Sequence, residues 1–154
     1  MLTIGFKKLR PGAAIPRKAH IGDAGFDVCA VDTVKLLPFK PTLVKTGLAV
    51  NIPDGYEIQV RPRSGFALKK GVTVWNSPGT IDSSYKGEVG VILLWTPHSY
   101  DKDAEGDMPE AFVIRPGDRI AQLVVAPVVQ CLSIEVGNVG TSDRGTGGFG
   151  STGR

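Results

Sequence analysis

At 154 residues, with 18 Lys and Arg against 15 Asp and Glu, the chain is sized for one domain and carries a formal charge of only +3. So small a positive excess argues against a nucleic-acid surface. No apolar run of about 18 residues offers a membrane span, and the start MLTIGFKKLRPG lacks the apolar core of a signal peptide, so a cytoplasmic protein is expected.

Gly (20 residues) and Pro (11) make the chain dense in turns, and no stretch holds a 3.6-residue apolar period over three turns. Alternating or β-branched runs recur instead, which predicts an all-β fold. In chain order the expected strands lie in Leu43–Ile52, Tyr56–Val60, Val89–Trp95, Ile120–Pro127 and Leu132–Val136. One short helical turn is expected around Ser64–Lys70. The run VWNSPGTIDSSYKGE, from Val74 to Glu88, reads as a hairpin, because Pro78-Gly79 is a turn signal between β-prone flanks. Thr96–Ala111 is polar, acidic and Pro/Gly-containing, a long surface loop. The organisation expected is a β-domain over residues 1–139 and a glycine-rich, flexible segment over 140–154, which has no aliphatic residue to join a core. Cys29 and Cys131 are isolated among apolar neighbours and read as small buried thiols, while His20 and His98 fit no metal or triad spacing.

Several short segments carry more chemistry than turns require. PRSG places the Arg63 guanidinium, the Ser64 hydroxyl and the N–H groups of Ser64 and Gly65 at a strand-to-helix junction, a set suited to phosphate oxygens. Gln122 interrupts the apolar run of GDRIAQLVV, where an amide needs a partner. Asp118 and Arg119 in the same segment read as turn and ion-pair residues. Asn76 and the main chain beside it can read the edge of a planar base. In the tail, Arg144 can grip a phosphate and Phe149 can stack on a base.

GDAGFD (Gly22 to Asp27), PRSG, NSPGTID with Tyr85 three residues on, RPGDRIAQL (Arg115 to Leu123) and RGTGGFGSTG (Arg144 to Gly153) occur in that order. Together they resemble the five motifs of the trimeric dUTPase family, from about Leu9 to Gly153. The resemblance implies a jelly-roll β-fold, a homotrimer with sites at subunit interfaces, and hydrolysis of dUTP to dUMP and pyrophosphate with Mg²⁺. Such a reaction limits uracil in DNA and supplies dUMP for thymidylate synthesis. It assigns Asp82 as the base that activates water for attack on the α-phosphate. Arg63, Ser64, Gly65 and Gln122 would hold phosphates, and Asn76, Thr80, Ile81 and Gly90 would surround the uracil. Tyr85 would lie under the deoxyribose and exclude a 2′-hydroxyl. Phe149 would close over the base, with Arg144, Gly150, Ser151 and Thr152 around the phosphates, and Asp27 would meet the metal through water. Lys86 and Trp75 depart from the family, where Arg and a smaller aliphatic are usual. Two rivals remain. A dCTP deaminase would need a glutamate where this chain has Ile92; a nucleotide-responsive regulator could act through Thr96–Ala111.

Overall fold

Apolar side chains alternate along most of the short segments between glycines and prolines, so each segment can bury one face and pair at its edges. In the computed structural model, which describes residues 2–98, 106, 107 and 109–148, these segments form eleven strands and one helix. The larger sheet has the order β2 (Gly25–Cys29), β11 (Arg119–Pro127), β6 (Tyr56–Arg61), β8 (Gly79–Ile81). A second sheet has the order β4 (Thr42–Lys45), β9 (Gly90–Trp95), β7 (Val72–Val74). Two antiparallel pairs complete the jelly roll: β1 (Gly5–Lys8) with β5 (Leu48–Asn51), and β3 (Val34–Leu36) with β10 (Phe112–Ile114). One core unites both sheets through fully buried Val28, Ile58, Ile120 and Leu123 from one and Val44, Val91 and Leu93 from the other. Each such side chain contributes about 1.5–3 kcal/mol of burial.

Tyr56–Val60, Val89–Trp95 and Ile120–Pro127 match β6, β9 and β11 closely, and the helix α1 spans Ser64–Lys70 as expected. Gly71 ends it in the left-handed region at φ 63°. None of its residues is buried, but Phe66 packs edge-on against Phe112 at 5.8 Å, which seats the helix on the sheet.

Four expectations need correction. Leu43–Ile52 is two strands in different sheets, because Gly47 (φ +70°) turns the chain between them. Val74–Glu88 is not a hairpin: β7 pairs with β9 while β8 pairs with β6, so the turn at 75–78 carries the chain from one sheet to the other. A turn signal fixes where the backbone reverses, not which strand it then meets. Leu132–Val136 is not a strand, because no sheet edge among the described residues meets it; Leu132 and Ile134 stand 93% and 77% exposed. Cys131 lies beside that segment and is exposed, whereas Cys29 is half-buried; both are free thiols. Thr96–Ala111 does connect β9 to β10 without a strand or helix among its described residues. No helix among the described residues is long and apolar enough to cross a membrane.

Candidate active site

The strand order brings the chemistry-bearing residues together in two places. The first is a cavity of about 380 Å³, within the range of small-ligand pockets. It lies where β8 of one sheet approaches β4 and β9 of the other, and Asn76, Thr80, Ile81, Tyr85 and Gly90 all line it. Ile81 is buried and fixes the strand, while Asn76 and Thr80 are exposed to the opening. Gly79 matters by its size: a Cβ there would stand 3.1 Å from the Asn76 amide nitrogen and 3.3 Å from Val60. Gly90 similarly makes room for Leu43, whose Cδ1 would be 2.7 Å from an added Cβ. Ile92 lines the cavity as well, so the position at which a deaminase would carry its glutamate is apolar.

Tyr85 is 46% exposed at this cavity. Its hydroxyl donates to the Glu88 carbonyl oxygen at 2.8 Å, and its ring folds over Gly87. The turn from Asp82 to Tyr85 is closed by the Tyr85 N–H donating to the Asp82 carbonyl oxygen at 3.1 Å. Asp82 itself is exposed just beyond β8, beside the cavity rather than in its wall. Among the described residues Glu88 is the one carboxylate in the lining, and sequence reasoning missed it. Its Oε1 accepts from an Arg10 guanidinium nitrogen at 3.0 Å and from the Gly47 N–H at 2.9 Å. Arg10 also donates to both Asp32 oxygens, at 3.0 and 3.2 Å. These bonds, to Asp32 first and then to Glu88, hold the guanidinium even more firmly charged than usual.

The second place is the β2–β11–β6 edge. Ladder register sets Gln122 directly between Asp27 and Arg61, and Arg63 follows two residues after Arg61. The Gln122 amide donates to the Pro62 carbonyl oxygen at 2.9 Å, so the unexplained polar residue has a main-chain anchor. Gly25 gives it space, because a Cβ at residue 25 would stand 2.6 Å from Gln122 Oε1. Arg63 is the N-cap residue of α1 but its side chain makes no capping bond; instead its Nε donates to Asp27 Oδ1 at 2.9 Å and its NH1 to the Arg119 carbonyl oxygen at 3.1 Å. Arg119 donates to the other Asp27 oxygen at 3.0 Å. Asp118 accepts from the Arg115 N–H at 2.7 Å, closing the turn. The turn and ion-pair roles expected of Asp118 and Arg119 are therefore the observed ones. Ser64 and Gly65 sit exposed in the first helical turn, where the helix supplies no acceptor for their N–H groups. Burial, and then the negative charge of Asp27, push the Cys29 thiol up from its ordinary value, which disfavours a nucleophilic thiolate.

Of the tail residues, Arg144 is described: it is exposed, and its Nε donates to the Gly147 carbonyl oxygen at 2.7 Å within a local turn. It lines neither place. Phe149, Gly150, Ser151 and Thr152 lie outside the described residues. Within one chain the cavity and the Asp27–Arg63–Gln122 cluster share no residue.

A dUTPase family model matches residues 12–153. The deoxyuridine 5'-triphosphate nucleotidohydrolase of Picosynechococcus sp. is 51% identical over 146 residues, 95% of each chain. That of Hydrogenobaculum sp. is 49% identical, covering 96% of this chain and 95% of its own. The dUTPase of Staphylococcus bacteriophage 80alpha, solved with dUpNHpp, superposes with a TM-score of 0.85 at 29% identity over all of both chains. A mutant dUTPase from phage phi11 of S. aureus, described for its coordination of a structural Mg(II) ion, gives a TM-score of 0.76 at 27% identity, covering 90% of this chain and 99% of its own. Motif order, jelly-roll architecture and identity across nearly the whole sequence agree, and the chain belongs to the dUTPase family.

Proposed function

We propose that this chain hydrolyses dUTP to dUMP and pyrophosphate. The observation that carries the reading is the cavity of about 380 Å³, which gathers Asn76, Thr80, Ile81, Tyr85 and Gly90 with Asp82 at its edge. Asn76 and the main chain of β8 and β9 read the uracil edge, and the tight wall at Gly79 and Gly90 rejects a base with an added methyl. Tyr85 lies beneath the deoxyribose. Asp82, exposed and outside any side-chain ion pair among the described residues, aims and deprotonates a water at the α-phosphate. Arg63, Ser64, Gly65 and Gln122 hold the phosphates through a guanidinium, a hydroxyl, first-turn N–H groups and an amide.

Mg²⁺ fits this chain only in a particular way. No group of three or more His, Cys, Asp or Glu that could hold a metal occurs among the described residues. Asp27, the family's metal carboxylate, already accepts from two guanidiniums. Its remaining lone pairs suit a water of a hydrated ion carried on phosphate oxygens, which is how Mg²⁺ prefers to bind nucleotides. Held there beside Asp27, such an ion would supply neutralisation of the triphosphate charge.

The separation of the two clusters within one chain supports sites shared between copies. So does the segment after β11, where Val129, Leu132, Ile134, Val136 and Val139 are more than half exposed. Such a row of aliphatics suits the surface of a neighbouring copy. The assembly proposed is the homotrimer, with residues 140–154 closing over bound nucleotide. Two unpaired cysteines agree with a reducing compartment such as cytoplasm.

Hydrolysis in oxygen-18 water tests the chemistry. Label in dUMP supports attack at the α-phosphate; label in pyrophosphate moves the attack elsewhere and removes the role given to Asp82.

A further inference from the structure

Hydrolysis of dUTP does not itself call for the charged group that closes one side of the cavity. Glu88 lines it with a side chain only 23% exposed. Besides Arg10 and the Gly47 N–H on Oε1, its Oε2 has Lys45 Nζ at 3.7 Å. The main chain of the next residue is tied to the same turn at both its N–H and its carbonyl. The Val89 N–H donates to the Leu48 carbonyl oxygen at 2.7 Å, and the Thr46 hydroxyl donates to the Val89 carbonyl oxygen at 2.7 Å. Thr46 is a polar side chain buried in the core, 1% exposed. The turn that receives these bonds has little freedom, since a Cβ on Gly47 would meet Ala13 at 2.9 Å and Val31 at 3.2 Å.

The phenol of Tyr85 is bonded to the carbonyl of this anchored residue, at 2.8 Å. Beneath the ring lies Gly87, where a Cβ would stand 2.6 Å from the hydroxyl oxygen. Tyr85 itself is half exposed and packs on no aromatic neighbour among the described residues, and its hydroxyl is held by the peptide at Glu88.

We propose that Glu88, clamped by Arg10 and the Gly47 N–H, is a positioning residue for sugar selection: it fixes the Tyr85 ring at the height that excludes a 2′-hydroxyl. This rests on the assignment of the cavity to dUTP and of Tyr85 to the deoxyribose. A wall that shifts by on the order of 1 Å no longer separates a hydroxyl from a hydrogen, as misplacements of that size elsewhere in active sites cost large factors. Glu88 acts through Tyr85 and touches no reacting atom.

The test compares the parent protein with Glu88→Ala and Glu88→Gln. Affinities for the α,β-imido analogues of dUTP and UTP are measured by titration calorimetry, beside kcat/KM for both nucleotides and Tm. In Glu88→Ala the deoxy preference should fall about tenfold, the scale of one lost charge-assisted hydrogen bond, mainly by a gain for the ribo analogue. Glu88→Gln keeps an oxygen for the Gly47 N–H and should retain most of the preference. Gly87→Ala displaces the ring directly and should reproduce the loss, which checks that ring height sets the preference; Arg10→Ala, which removes the clamp on Glu88 from the other side, covers the case of an unstable Glu88→Ala and should also lower the preference. A preference within roughly twofold of the parent in Glu88→Ala, whatever its Tm and whatever Gly87→Ala does, overturns the proposal. So does a parent that binds both analogues equally. A parent that binds the deoxy analogue preferentially but releases no pyrophosphate from dUTP refutes the proposed reaction and leaves the positioning role supported.

Discussion

Gly25→Ala is a one-methyl perturbation of the cluster proposed to hold the phosphates. Gly25 pairs with Val124 in the ladder and its φ is not in the left-handed region, so alanine is admissible for the backbone. The added Cβ, however, stands 2.6 Å from Gln122 Oε1 and 3.2 Å from Gln122 Cβ, against ordinary contacts of 3.4–4 Å. The amide must retreat by about 1 Å, since repulsion at that range far exceeds the fraction of a kcal/mol any atom pair gains. Retreat strains or breaks the 2.9 Å bond from Gln122 to the Pro62 carbonyl oxygen, worth about 0.5–1.5 kcal/mol. Stability should therefore fall only slightly. Catalysis should fall more if Gln122 holds a phosphate as proposed, because a misplacement of about 1 Å can cost up to 10²-fold. Steady-state kinetics on dUTP should show kcat/KM lower by about 10- to 100-fold with Tm within a few degrees of the parent. The double variant Gly25→Ala/Gln122→Ala should be little worse than Gln122→Ala alone, because the 2.6 Å clash with Oε1 is then gone and only the milder 3.2 Å contact with the residue-122 Cβ remains. Parental kcat/KM in Gly25→Ala would refute the claim that the Gln122 amide works from this position.

Asp82→Asn should keep affinity for the non-hydrolysable analogue and lose at least about 10² in kcat, the lower scale for a general base; near-normal turnover removes Asp82 from that role. Tyr85→Ala should raise UTP turnover relative to dUTP, read as the ratio of kcat/KM values, and an unchanged ratio places sugar discrimination elsewhere. Deleting residues from Gly140 onward should leave the β-core folded by circular dichroism, since the described residues 140–146 are exposed, while kcat/KM drops sharply; full activity would reduce the tail to a spacer. Cys29 should react slowly with a thiol reagent until the protein unfolds, because burial raises its pKa; rapid modification in the folded protein contradicts that environment.

Where one strand carries both the apolar pattern and the chemistry, the sequence is readable. Ile120, Leu123 and Val124 mark β11 as a buried strand, and the lone amide at Gln122 stands out within it and finds a main-chain partner at Pro62. PRSG at a strand-to-helix junction is legible for the same reason, because the junction and the donors coincide. The sequence is not readable where a segment's partner lies far away. Val72–Val74 and Gly79–Ile81 are adjacent in the chain and flank a strong turn signal, yet each pairs with a distant strand in its own sheet. Leu132–Val136 alternates as a strand would, but alternation shows that a face wants covering without saying which chain covers it. Glu88 escaped notice because its partners, Arg10 and Gly47, lie 78 and 41 residues away. Nothing local separates it from an ordinary surface acid. The pairing of Asp27 with both Arg63 and Arg119 is likewise a product of sheet order, since β11 stands between β2 and β6.

Product analysis on the purified protein tests the central claim most directly. The protein is mixed separately with dUTP, dCTP, dTTP and UTP in the presence of Mg²⁺, and pyrophosphate, nucleoside monophosphate and ammonia are quantified. Pyrophosphate and dUMP from dUTP, with little from the other three, is the result expected of a cavity that excludes both a base methyl and a 2′-hydroxyl. Ammonia from dCTP, or no pyrophosphate from dUTP, would contradict it.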